Sequence, residues 1–186
     1  DTSGHNRASD CIDCAAGRWV DVDGSDHASD CVECAVGRYV HVTGSVAASD
    51  CIECVAGKYV DLTGSDQESD CIVCAPGRYA PSAGAVSPSA CLPCPAGTYV
   101  SDVGSDALSD CIDCGVGKYL DSVGNRDIAA CIDCVAGTYI DVTGSGDSTD
   151  CIDCAAGTYS VVVGSGSASS CVDCAAGTYV DVVGSD

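Results

Sequence analysis

Cysteine recurs in this chain with a period of 20 residues, without a single insertion or deletion. It falls at 11, 31, 51, 71, 91, 111, 131, 151 and 171, and again three residues after each of these. The resulting nine CxxC pairs use all 18 cysteines, so none is left for a singular role. Fixed self-similarity at so short a period marks a tandem array whose units contact mainly their neighbours. In this reading, residues 1–10 are the end of a preceding repeat, 11–170 are eight complete repeats, and 171–186 are a ninth, truncated one. Because residues 1–6 hold the same register as residues 181–186, the segment is expected to be an excerpt of a longer array or a processed subunit of one.

A 20-residue unit cannot bury enough apolar surface to fold alone. The 46% hydrophobic content is mostly Ala, Val and Cys, with no Phe, no Met, one Trp and eight Tyr. A core of large side chains is therefore not available, and something covalent or metallic must substitute for it. Cysteine at this density signals a disulfide scaffold in a secreted context. With 28 Asp and Glu against 7 Lys and Arg, the net charge is -21. Such a surface repels phosphate backbones and anionic membranes, which excludes a nucleic-acid partner. Neither a leader nor a membrane-inserting run is expected within this segment.

One unit reads Cys11-Ile12-Asp13-Cys14-Ala15-Ala16-Gly17-Arg18-Trp19-Val20-Asp21-Val22-Asp23-Gly24-Ser25, then five polar residues ending in Ser29-Asp30. A structural aromatic stands at Trp19, Tyr39, Tyr59, Tyr79, Tyr99, Tyr119, Tyr139, Tyr159 and Tyr179. Gly17 and Gly24 have counterparts in every later copy. A position that is Gly in all copies of one structure needs a positive φ or admits no side chain. Between the glycines lie short β-type runs such as Tyr39-Val40-His41-Val42. Gly and β-branched residues leave no stretch of ten good helix formers. Each unit is thus expected to be a small hairpin-like element with a Gly-Ser turn. The fold class follows as small, disulfide-rich and mostly β or irregular, with tandem repeats forming an elongated rod or solenoid-like array and almost no helix.

Five of the seven basic residues occupy one repeat position, as Arg18, Arg38, Lys58, Arg78 and Lys118, where the other copies have Thr. They read as a solvated face rather than a pairing stripe against carboxylates such as Asp21 or Asp61, because exposed pairs contribute only about 0–1 kcal/mol. All five prolines fall between Pro76 and Pro95, a local stiffening consistent with a bend, a contact site or drift.

CxxC spacing admits three chemistries. Thioredoxin-like redox catalysis needs one CxxC at a helix start in a βαβ context, and nine copies without a helix argue against it. Zinc is the rival, since consecutive pairs read C-x2-C-x16-C-x2-C, but nine pairs do not divide into four-cysteine sites. Disulfides are the favoured reading. A bridge inside a CxxC would close a very small ring and connect no units. A bridge from Cys14 to Cys31 would close a hairpin-sized loop around the Gly-x-aromatic run. The same choice repeats as Cys34–Cys51, Cys54–Cys71, Cys74–Cys91, Cys94–Cys111, Cys114–Cys131, Cys134–Cys151 and Cys154–Cys171. Cys11 and Cys174 are then left to pair with adjoining chain or with another subunit.

The run Cys91-Leu92-Pro93-Cys94-Pro95-Ala96-Gly97-Thr98-Tyr99, with Gly104-Ser105 and Cys111, resembles the ephrin-receptor-like cysteine-rich repeat of extracellular proteins. That repeat is similar to the first module of tumour-necrosis-factor receptors and occurs in long surface proteins of protists and algae, including mastigoneme proteins. The resemblance covers essentially the whole chain. It implies the Cys14–Cys31 type of bridge, an extracellular or cell-surface location and an elongated shape, and no catalytic activity. Two features depart from the family pattern: the proline after the second cysteine occurs only as Pro95, and the stretch from Gly-Ser to the next cysteine is longer.

Other candidates are weaker. Asp21, Asp23 and Asp26 around Gly24 resemble the start of a calcium loop, but no bidentate Glu follows, and an acidic turn is the favoured reading. No cofactor is otherwise expected. His5, His27 and His41 form no motif with a nucleophile. There is no N-x-[ST] sequon, so glycan is expected only as O-linked sugar, with Ser87 and Ser89 as candidates. An enzyme needs at least one position unlike its repeats, and none is found. The function expected is that of a structural segment of an extracellular fibre or surface appendage, self-associating head to tail or laterally. The alternative is the stalk or ligand-binding ectodomain of a cell-surface receptor or adhesin.

Overall fold

A computed structural model describes residues 11–184. The repeat fragment expected over residues 1–10 and the last two residues of the ninth repeat lie outside the described residues. The chain divides into two compact units, Asp1–Val73 with Ser82–Ala90, and Cys74–Pro81 with Cys91–Asp186. Each unit is built from the same repeat.

A repeat in the first unit shows the pattern. Ile52–Glu53 is a two-residue strand, Lys58–Tyr59 is a second, and Glu68–Asp70 is one turn of 3-10 helix leading into Cys71. The two strands of a repeat do not pair with each other. Arg38–Tyr39 pairs antiparallel with Ile52–Glu53 of the next repeat, with Arg38 opposite Glu53 and Tyr39 opposite Ile52. On its other edge Tyr39 forms a parallel bridge to Ser65, also in that next repeat. Each repeat thus clasps the aromatic strand of the one before it. The second unit repeats the arrangement, for example with Tyr119 opposite Ile132 and bridged to Ser145.

Backbone hydrogen bonds stitch the repeats together within each unit. Gly37 donates to the carbonyl of Val60 at 2.8 Å, and Cys54 donates back to Gly37 at 2.9 Å. Gly64 donates to the carbonyl of Cys34 at 2.9 Å. Both glycine positions have φ in the left-handed region, +84° at Gly37 and +70° at Gly64, which side-chain-bearing residues rarely adopt. At Gly37 space is a second constraint, because a Cβ there would collide with the carbonyl of Gly84 in the next-but-one repeat.

The core of each unit is made of small clusters. Cys34 and Cys51 surround Val40, with Trp19 of the preceding repeat packed on them. Cys54, Cys71 and Val60 are covered by Tyr39, and Cys114, Cys131 and Leu120 by Tyr99. In six consecutive repeats one aliphatic side chain is nearly sealed: Val40, Val60, Ala80, Val100, Leu120 and Ile140 are each 2% exposed or less, and Ser160 takes the same place in the repeat that follows. The fold is a disulfide-rich repeat array of short strand pairs, and no helix among the described residues exceeds a single 3-10 turn.

Candidate functional site: the repeated disulfide rung

Among the described residues the recurring constellation of reactive residue types is the disulfide. Among the described residues the cysteines join as Cys14–Cys31, Cys34–Cys51, Cys54–Cys71, Cys74–Cys91, Cys94–Cys111, Cys114–Cys131, Cys134–Cys151 and Cys154–Cys171. Their Cα atoms lie 5.6 to 5.9 Å apart, within the ordinary range for a bridge. Each bond joins the second cysteine of one CxxC to the first of the next and closes a separation of 17 residues. Cys11 is exposed and Cys174 half-buried, and neither is bridged.

The strand pairing sets the two cysteines in place, and an aspartate fixes the approach to the second. Asp50 Oδ2 accepts the amides of Val46 at 2.9 Å and Ala47 at 3.0 Å, which pins the 3-10 turn immediately before Cys51. Asp30, Asp70 and Asp110 do the same before Cys31, Cys71 and Cys111. A carboxylate accepting amides at the N-terminus of a helical turn satisfies donors the turn itself cannot. Where the sequence has Ala130 instead, Asp127 takes over and accepts the amide of Ala129 at 2.8 Å. In the next turn Asp147 accepts both the amide and the hydroxyl of Thr149, which hold its carboxyl below the ordinary aspartate value, the amide having the larger effect. Reading the sequence alone missed this capping role. The available signal was Asp directly before the first cysteine of a pair in six of the nine copies.

The basic position does pair, but with partners other than Asp21 or Asp61. Arg18 reaches Glu33 at 2.8 Å, Arg38 reaches Glu53 at 2.7 Å, and Lys118 reaches Asp133 at 2.6 Å, each directly across the antiparallel register. Lys58, opposite the apolar Val73, turns to Glu68 at 3.2 Å. These groups are about half exposed, so each pair contributes on the order of 0–1 kcal/mol. Arg78 alone of the five makes no ion pair among the described residues, and its Nη1 donates to the carbonyl of Cys91 at 2.8 Å.

The structure does not bring Asp21, Asp23 and Asp26 together, and no group of three or more metal-ligating side chains occurs among the described residues. The turn is otherwise engaged: the amide of Asp26 donates to Asp30, and Asp26 Oδ1 lies 3.8 Å from His27 Nε2. Ser87 is half-buried and Ser89 exposed, with their hydroxyls 2.7 Å apart. No helix among the described residues is long and apolar enough to cross a membrane.

These observations define a tandem array of small disulfide-clamped modules. A family model described as tyrosine-protein kinase ephrin type A/B receptor-like matches residues 25–71, 63–111, 88–131, 103–151 and 127–171. Each match ends on a cysteine that closes a bridge, Cys71, Cys111, Cys131, Cys151 or Cys171, and encloses two complete disulfide loops. The chain belongs to this ephrin-receptor-like family. No curated protein matches it.

Proposed function

We propose that the chain is a structural segment of an extracellular fibre or surface appendage, built to self-assemble and carrying no catalysis. The observation that supports this most is recurrence: the same bridge, glycine pair and aromatic clasp return in register every 20 residues. A building material requires such uniformity, whereas an active site requires a position unlike its counterparts. The extracellular reading rests on the disulfides, which form and persist in oxidising compartments. O-linked sugar on Ser89, the exposed member of the Ser87–Ser89 pair, belongs to the same reading.

Electron microscopy of the purified native protein tests the proposal. Filaments of constant width are expected. Isolated short particles would instead favour the stalk of a receptor or adhesin. Labelling of intact cells with a membrane-impermeant amine reagent tests the location, and an intact mass equal to the bare chain would reject the sugar.

A further inference from the structure

The cross-strand pairs of the second unit carry an uneven charge. Rung by rung along the chain, Arg78 stands opposite Pro93, Thr98 opposite Asp113, Lys118 opposite Asp133, Thr138 opposite Asp153 and Thr158 opposite Asp173. The Arg78 rung is positive, the Lys118–Asp133 rung is neutralised by its own ion pair, and the rungs at Asp113, Asp153 and Asp173 are negative. Thr98 and Thr138 are buried, and their hydroxyls donate to the carbonyls of Pro95 and Val135, so neither answers the exposed aspartate across from it.

Arg78 is also the only charged residue between Asp70 and Asp102, in a chain that carries 28 acids. Its Nη1 is fixed on the Cys91 carbonyl, which holds the guanidinium at the strand pair while no carboxylate among the described residues takes its remaining donors. Beside it Pro93 is exposed and Leu92 is 42% exposed. Two copies at -21 each repel wherever acidic surface meets acidic surface. Contact between copies is least opposed where one copy presents a cation and apolar side chains, and the other an unanswered carboxylate.

We infer that these rungs line one face of the second unit and that this face docks on a second copy of the chain, with the Arg78 rung of each copy set against the Asp153 rung of the other. The inference rests on the self-assembling reading above and names the surface it uses. The arrangement is self-complementary. A two-fold axis that joins Arg78 to Asp153 in one direction joins them again in the other. The same axis sets the Asp113 rung against the Lys118–Asp133 rung, which its own ion pair leaves without net charge. Both copies have one period, so the four rungs from Arg78 to Asp153 find their counterparts in register, and weak contacts act together.

Sedimentation velocity of the intact chain, in dilute and in concentrated salt, tests this with four variants. Arg78→Thr installs the residue that four other repeats carry at this position, which preserves the fold. Arg78→Glu and Asp153→Lys reverse single charges, and the fourth variant combines those two reversals. The wild type is expected to self-associate, and each single change to weaken that association about tenfold, through two symmetry-related exposed pairs of modest strength. The combined reversal is expected to restore it, and concentrated salt to weaken the wild type. A wild type that stays monomeric, Arg78 variants that associate as tightly as it does, or a double reversal no better than either single change would each overturn the docking. Microscopy of Arg78→Glu separates this from the fibre reading. Thinner filaments support both, unchanged filaments overturn the docking alone, and paired particles without filaments in the wild type overturn the fibre alone.

Discussion

Gly37 meets Gly84 of the next-but-one repeat so closely that a β-carbon on Gly37 would collide with the Gly84 carbonyl. Gly24, at the other glycine position of the repeat, has a similar φ of +77° but nothing within 4 Å of an added Cβ. The two positions therefore separate conformational cost from steric cost.

Gly37→Ala is expected to destabilise its surroundings by about 3 kcal/mol, the sum of a left-handed backbone and a displaced carbonyl. Gly24→Ala should cost only about 1 kcal/mol. Native-state hydrogen exchange at Cys54 and Val40, whose amides donate to Gly37 and Ser65, reads the first directly. Equal effects of the two substitutions would show that repeats do not meet at Gly37.

Asp50→Ala removes the acceptor for two amides ahead of Cys51 and should cost about 1 kcal/mol, the usual worth of such a cap. Faster exchange at Val46 and Ala47 is the local signature. Asp21→Ala, which removes an exposed acid with no capping role, is the matched control. The capping assignment fails if both variants leave Val46 protected.

Replacing Cys94 and Cys111 together by Ser opens one loop inside the second unit. In the loop-entropy account the loss is roughly 3 kcal/mol, and it should stay centred on neighbouring repeats because the array is coupled locally. Exchange protection mapped along the chain would show a dip around Leu120, which packs on the next bridge. Mass spectrometry of unreduced peptides provides the parallel check on connectivity, and links inside each CxxC would refute the pairing.

Acid should loosen the turn at Asp147 late. Its carboxyl titrates below the ordinary value of 3.8 because the Thr149 amide, and then the Thr149 hydroxyl, donate to the charged form. A folded value depressed in this way contributes stability above the unfolded value, and that contribution is lost as the pH falls through the folded one. A carbon-detected titration should place the Asp147 midpoint below 3.8. Thr149→Val should raise it only in part, since the amide remains. A wild-type midpoint at or above the ordinary value would rule the cap out.

The period, the cysteine spacing and the positive-φ glycines were legible in the sequence because each is a covalent or single-residue constraint repeated in every copy. Pairing was harder. Arg18 has Asp21 three residues away, yet its partner is Glu33, because antiparallel register places Arg18 and Glu33 across from each other. Sequence distance hides that relationship until the register is known. The hairpin within a repeat became a hairpin between repeats for the same reason: Tyr39 pairs forward with Ile52. The 3-10 turns went unread because their signal is one aspartate before a cysteine, too short to register as a periodicity. The residues Asp21, Asp23 and Asp26 were grouped by proximity in sequence alone, and they form no metal-ligating group among the described residues, where the Asp26 amide is instead taken up by Asp30.

The bridges also set how far the molecule can be drawn out. From Cys14 the shortest covalent route crosses sulfur to Cys31, 5.7 Å away, then runs three residues to Cys34 and crosses again. Fully taut, one period measures about 16 Å by that route, where 20 unbridged residues would reach about 70 Å. A tether made of these links transmits a pull almost at once instead of paying out slack.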